Sequence, residues 1–375
     1  GFTTTGATIF GDVESLPRGL LFWRSFTHWA GGMGVLVLTS AILPSIDGRG
    51  AHLARAESPG PSFSKLRPRL GDRAKALYMI YAALTLVEYV FLRAFGMPVF
   101  DAVIHALGTA GTGGFSCRNT SVGAYGNPAF EIIIAVFMLL FGVNFAVYFR
   151  LLMRDVRGAG KNEELWVYTA LTAVATLLIA ANVTRVFGSF TTALRHAFFQ
   201  TTSIMSTTGY SSADFDLWPA FSKAVIAFLM FFGACAGSTA GGMKVTTLAV
   251  LIANAVAAFR RREDPQLFHR RLEHSAVRNA AAILLLYLGL TFAGAAAISA
   301  AEELPLGACL YETASAAGTV GLTLGLTPQL GVLSQSILIL LMFFGRVGGL
   351  TLIYAAFSGH DLTYARYPQE KITVG

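Results

Sequence analysis

Charge is what this sequence has least of. Asp, Glu, Lys and Arg make up 13% of its 375 residues, about half the ~25% of an ordinary globular protein. Too little is left to clothe a water-soluble surface of that size. Cysteine is nearly absent as well. Cys117, Cys235 and Cys309 are odd in number and show no metal-ligand spacing, which argues against a disulfide framework or a thiolate metal centre. Cys235 and Cys309 sit in apolar context and read as small packing residues. No glycine-rich dinucleotide fold is present, so nucleotide sensing would need a separate subunit. No signal peptide is visible, and the chain starts at Gly1 without an initiator methionine.

Apolar residues fill the space that charge leaves, at 54% of the chain. Runs at 20–43, 74–95, 130–152, 165–187, 221–259, 277–301 and 331–357 reach the ~20 residues that a bilayer-spanning helix needs. The fold class expected is an all-α, multi-pass membrane protein. The net charge of +7 is not spread as a nucleic-acid surface would be, and nucleic acid is not an expected partner. Basic residues collect in alternate loops: Arg49 to Lys75, then Arg150, Arg154, Arg157 and Lys161, then Arg260, Arg261, Arg262, Arg270, Arg271 and Arg278. By the positive-inside rule these loops face the cytoplasm, where they would also touch membrane lipid. The expected location is a membrane that the chain crosses several times.

Within this apolar chain one pattern returns four times, Thr-x-Gly-x-Thr/Ser. It occupies Thr4–Thr8, Thr112–Ser116, Thr207–Ser211 and Thr319–Thr323, and its glycines stand 108, 95 and 112 residues apart. A glycine holds backbone angles closed to other residues. Four such loops in a ring can aim carbonyl oxygens inward and replace the hydration shell of a cation. Each full repeat reads as outer helix, short re-entrant helix, glycine motif and inner helix. The domains expected are 74–152, 165–259 and 277–357, with 1–43 as the end of a first repeat that keeps only its motif and inner helix, and 358–375 as a cytoplasmic tail. On that reading the sequence is a fragment, lacking on the order of a hundred N-terminal residues if the repeat length holds.

The run Gly1–Thr8, the stretch His28–Gly34, the segment Gly233–Lys244 and Phe344-Gly345-Arg346-Val347-Gly348 together resemble the TrkH family of bacterial potassium uptake subunits, in the superfamily that also holds Ktr and HKT transporters. The resemblance covers the chain from its first motif onward. It implies a multi-pass protein of the bacterial inner membrane, a pseudo-fourfold fold like four fused potassium-channel subunits, K⁺ as the transported ion, a homodimer, and a cytosolic TrkA-like nucleotide-binding ring as partner. It also implies ion ligands at each motif glycine and the two residues before it: Thr4, Thr5 and Gly6; Thr112, Gly113 and Gly114; Thr207, Thr208 and Gly209; Thr319, Val320 and Gly321. Where tetrameric potassium channels have a second glycine, in TVGYG, this chain has Thr8, Ser116, Ser211 and Thr323. Weaker discrimination against sodium is therefore expected.

The third inner helix carries four glycines in ten positions, Gly233, Gly237, Gly241 and Gly242, with Ser238 and Thr239 among them. Each glycine opposes helix by ~1 kcal/mol, so a loop inside the membrane is expected beneath the motifs; close helix packing through small residues is the alternative. TrkH-like proteins resemble this in having a gating loop there. Arg346, fifteen residues after Gly331 and eleven before Phe357, lies ~16 Å from the nearer end of that run if it is helical. A charge at that depth faces a cavity or a partner. It either repels permeating ions or clamps the loop through carbonyls, and the resemblance implies the barrier role. Lys244 either joins it or reaches cytoplasmic water. Asp12, Glu14, Asp214 and Asp216 follow motifs and either concentrate cations or are ordinary loop acids. Asp101 and Glu312 belong to re-entrant helices as caps or anchors.

The function expected is potassium uptake through a gated, channel-like pore, and not an enzymatic one. Sodium- or proton-coupled symport is the alternative, weakened because Glu88 is the one acid near a helix core. An intramembrane hydrolase using Ser238 would leave four repeated motifs unexplained.

Overall fold

The computed structural model describes residues 1–34, 70–262, 264–268 and 270–348. The basic residues between Arg49 and Arg69, the ends of the 20–43 and 331–357 runs, and the 358–375 tail lie outside the described residues.

Proline and asparagine set where many helices begin. Pro17, Pro98, Pro219 and Pro305, with φ between −54° and −57°, stand directly before α1 (Arg18–Gly32), α3 (Val99–Ala110), α9 (Ala220–Met230) and α12 (Leu306–Ala317). Their fixed φ suits a helix entry. Asn127, Asn144 and Asn162 cap α4 (Pro128–Phe141), α5 (Phe145–Leu152) and α7 (Glu163–Phe187), each accepting a backbone N–H. The remaining helices are α2 (Leu70–Ala94), α6 (Val156–Gly160), α8 (Phe190–Met205), α10 (Val245–Phe259), α11 (His274–Glu302) and α13 (Val332–Val347). A small antiparallel ribbon pairs β1 (Gln266–Leu267) with β2 (Arg270–Arg271).

The order long helix, short helix, threonine–glycine loop, second helix begins at Leu70, Glu163 and His274. Ala74–Ala94, Glu163–Phe187 and His274–Glu302 are long and apolar enough to cross a bilayer. Their outward faces carry exposed Leu86 and Val90, Leu177 and Leu178, and Leu285 and Phe292, apolar surface of the kind a lipid contact covers. The short helices α3, α8 and α12 are buried among the others. Each packs on the helix that precedes it, and also on the helix following the previous glycine loop: α1 on α3, α4 on α8, α9 on α12. This arrangement encloses the loops in protein, which is where irregular backbone is tolerated at membrane depth.

Three of the apolar runs are not single continuous helices. The 130–152 run is two helices, α4 and α5, bent by 88°. The cause is tertiary: Gly142 gives its carbonyl to Cys235 N (3.1 Å), and Phe145 N donates to Gly237 O (3.0 Å), so a distant segment takes backbone groups the helix would use. The 221–259 run breaks between Met230 and Val245, as its glycines predict. In α1 the helix stops at Gly32, and Gly34 takes φ 78°.

Candidate functional site

The four threonine–glycine loops share one backbone conformation. Thr4, Thr112, Thr207 and Thr319 have φ of 52–56°, and Gly6, Gly114, Gly209 and Gly321 have φ of 72–82°. A β-branched residue at positive φ is a genuine outlier, and four in register mark a built feature. The residue between each pair keeps a negative φ, so the handedness alternates along the strand and successive carbonyls turn to one side. The N–H groups turn the other way. Thr4, Thr112, Thr207 and Thr319 each donate to the carbonyl three residues back (2.8–3.0 Å), and Gly113, Thr208 and Val320 donate to the carbonyl five back (2.8–3.0 Å).

The loops also meet in cyclic order. A Cβ on Gly6 would strike the carbonyl oxygen of Gly113, one on Gly114 that of Thr208, one on Gly209 that of Val320, and one on Gly321 that of Thr5. The circuit closes on itself. Each motif glycine therefore lies against a backbone oxygen of the next loop, and the four loops meet at Thr5, Gly113, Thr208 and Val320. Such an array can hold a dehydrated, hard cation without carboxylates.

Behind the ring, polar side chains hold the residues after each glycine. Arg24 Nη2 donates to Thr8 Oγ1 (2.6 Å), His105 Nε2 pairs with Ser116 Oγ (3.1 Å), and His196 Nδ1 pairs with Ser212 Oγ (2.9 Å). Glu312 accepts from Thr323 Oγ1 at 2.5 Å. Sequence reading singled out Glu312 but missed Arg24, His105 and His196 as braces. The acids beyond the ring serve local structure: Asp12 accepts from Asn119 Nδ2 (2.8 Å), Glu14 pairs with Arg118 (3.4 Å), and Asp216 with Lys223 (3.2 Å). The Asn119 amide holds the Asp12 carboxyl below the usual carboxylate range. Asp101 accepts from Tyr125 Oη (2.7 Å).

The segment between α9 and α10 lies against the ring. Thr112 Oγ1 donates to Thr239 O (3.0 Å), and Gly241 N donates to Thr207 Oγ1 (3.0 Å). Arg346 Nη1 donates to Thr239 O (2.8 Å), and Nη2 donates to the carbonyls of Gly31 and Gly32 at the end of α1. The arginine is thus a carbonyl clamp between α1 and the loop. Lys244 Nζ turns back to Ala240 O (2.5 Å) and Gly241 O (3.1 Å). Glu164 Oε1 takes Ala236 N (2.5 Å) from α7, and Thr239 Oγ1 donates to Phe141 O (3.2 Å). Gly237 and Gly242 have φ of 77° and 62°, the left-handed conformation that glycine allows. Ser238 Oγ donates to Cys235 O (2.7 Å), while the ring nitrogens of His105 and His196 are engaged at the braces.

Residues 1–361 match the family model for TrkH, described as a cation transport protein. The chain belongs to the TrkH family. It is similar to the Trk system potassium uptake protein TrkH of Salmonella typhimurium, 35% identical over 369 residues, covering 94% of this chain and 76% of that protein. The Escherichia coli strain K12 protein of the same name is 34% identical over 371 residues, with the same coverage. The crystal structure of the potassium transporter TrkH from Vibrio parahaemolyticus superposes with a TM-score of 0.81 at 28% identity, covering 94% of this chain and 75% of that one. The chain is therefore a multi-pass inner-membrane protein of a cation transport family. No catalytic family is indicated.

Proposed function

We propose that this chain carries potassium into the cell through a gated, channel-like pore, with the four threonine–glycine loops as its selectivity filter and the 231–244 segment as its gate. The observation that carries the reading is the closed circuit of backbone carbonyls. An ion stripped of water there meets oxygens fixed in advance, and the alternating backbone leaves no N–H facing it. On this reading the molecule is a pseudo-fourfold array of helix–pore loop–helix units, with 74–152, 165–259 and 277–357 as three of them and 1–43 supplying the loop and inner helix of the other. The partners proposed are a second copy of the chain and a TrkA-like nucleotide-binding ring, with K⁺ as cargo.

Arg346 supplies the barrier. Its cation stands under the filter, and its donors tie the loop to α1. A unit charge at 4 Å costs a permeating cation about 1 kcal/mol even in bulk water and about 4 kcal/mol near a protein surface. Arg346→Ala should therefore raise basal potassium flux in proteoliposomes at least about fivefold. Unchanged or lower flux in a folded variant counts against the gate. Symport is separated in the same assay: a pore reverses at the potassium equilibrium potential whatever the sodium or proton gradient.

A further inference from the structure

We infer that Glu312 is the positioning residue that holds the fourth filter strand in its ion-selective shape, an inference that rests on the filter reading above. Glu312 stands on the short helix α12, nine residues before Gly321, and is 4% exposed. Its two oxygens gather three donors from the segment that leaves the filter: Thr323 Oγ1 (2.5 Å) and Leu324 N (2.9 Å) on Oε1, and Thr327 Oγ1 (2.7 Å) on Oε2. Thr323 is two residues past the glycine, so the carboxylate fixes the exit of the strand whose entry is fixed by Val320 N on Ser315 O (2.8 Å). With both ends tied, the carbonyls of Val320 and Gly321 have little freedom to rotate.

The same offset recurs with different chemistry. His105 stands nine residues before Gly114 and reaches Ser116, also two residues past its glycine. Gln200 stands nine before Gly209, and its amide finds no hydrogen-bond partner among the described residues; that strand is tied through His196–Ser212 and through Ser203 Oγ on Tyr210 O (2.7 Å). Among these three equivalent positions, Glu312 makes the most ties. It also faces the seam where the ring closes. A cavity of about 10 Å³ is lined by Glu312, Ser315 and Gly321 from this unit and by Thr5 and Ala7 from the first loop. That is scarcely room for one water, so the seam beside the carboxylate is closely packed.

The test is ion selectivity, which a merely structural contact would not alter. Glu312→Ala, Glu312→Gln, Thr323→Val and Thr327→Val proteins are reconstituted, and potassium, rubidium and sodium fluxes are compared. Losing hydrogen bonds to a buried charged acceptor should lower the potassium-to-sodium ratio about tenfold in Glu312→Ala. Glu312→Gln should stay within about twofold of the parent, because its oxygen still accepts from Thr323 and Leu324 and its amide can donate to the Thr327 hydroxyl. Thr323→Val and Thr327→Val, near-isosteric, carry the test alone if Glu312→Ala does not fold, and should each lower the ratio. Unchanged ratios in Glu312→Ala and both valine variants overturn the inference, as does a Glu312→Gln protein as unselective as Glu312→Ala. Gly321→Ala run alongside separates the two claims: if it too leaves selectivity intact, the filter reading itself fails, whereas if it alone changes the ratio, only the role of Glu312 is lost.

Discussion

A single methyl group distinguishes a filter glycine from a turn glycine. Gly114 has φ 72° and its missing Cβ would enter the carbonyl of Thr208, while Gly126 has φ 56° with open space around it. Both alanine substitutions carry the left-handed penalty of about 1–2 kcal/mol. Only Gly114→Ala also forces two filter strands apart. Gly114→Ala should therefore abolish potassium-dependent growth of an uptake-deficient strain with the protein still in the membrane, and Gly126→Ala should support growth. Equal growth by both would mean that the close approach of the strands has no bearing on transport. The residue scale is also where sequence reading went furthest. The glycine at the third place of each motif is a backbone instruction written in residue identity, and Gly6, Gly114, Gly209 and Gly321 all take the positive φ that glycine allows. The braces were not legible in the same way. Arg24, His105 and His196 find their hydroxyl partners only through folding, and a histidine in an apolar run has no pattern that names its acceptor.

Among elements, the 231–244 loop is not helical; Gly233 N bonds Met243 O and Ser238 N bonds Cys235 O within it, and neighbours supply further partners for its backbone. Glu164 on α7 accepts from Ala236 N and from Asn144 Nδ2 (3.3 Å), joining the loop to the break between α4 and α5. Removing that acceptor leaves a buried N–H unsatisfied at a cost of about 1–3 kcal/mol. Glu164→Ala should loosen the loop and raise basal potassium flux several-fold, and Glu164→Gln, which keeps an acceptor oxygen, should change it little; a Glu164→Ala protein as tight as the parent would remove α7 from the gate. The loop itself was legible because four glycines in ten positions deny a helix. The break at Gly142–Asn144 was not. One glycine and one asparagine inside a long apolar run do not stop a helix, and the bend comes from Cys235 and Gly237 taking its backbone groups from ninety residues away. Hydropathy counts residues along the chain and is blind to such an exchange.

For the molecule in its membrane, orientation decides whether the ring opens outward and the loop inward, as potassium uptake through this pore requires. Arg150, Arg154, Arg157, Arg260, Arg261 and Arg262 lie at one end of the long helices, with the β1–β2 ribbon, and Asp12, Glu14, Asp214 and Asp216 follow the filter loops at the other. The positive-inside rule assigns the arginine end to the cytoplasm. Cys117, Cys235 and Cys309 are all buried, which leaves a quiet background for thiol labelling. Ser275, at the start of α11, and Asp216, beyond the third filter loop, are both exposed. A membrane-impermeant maleimide added to intact cells should modify Asp216→Cys and spare Ser275→Cys, and inside-out vesicles should reverse the pattern. If Ser275→Cys reacts from outside while Asp216→Cys does not, the ring faces the cytoplasm, and a filter-first path into the cell is ruled out whatever the loops bind.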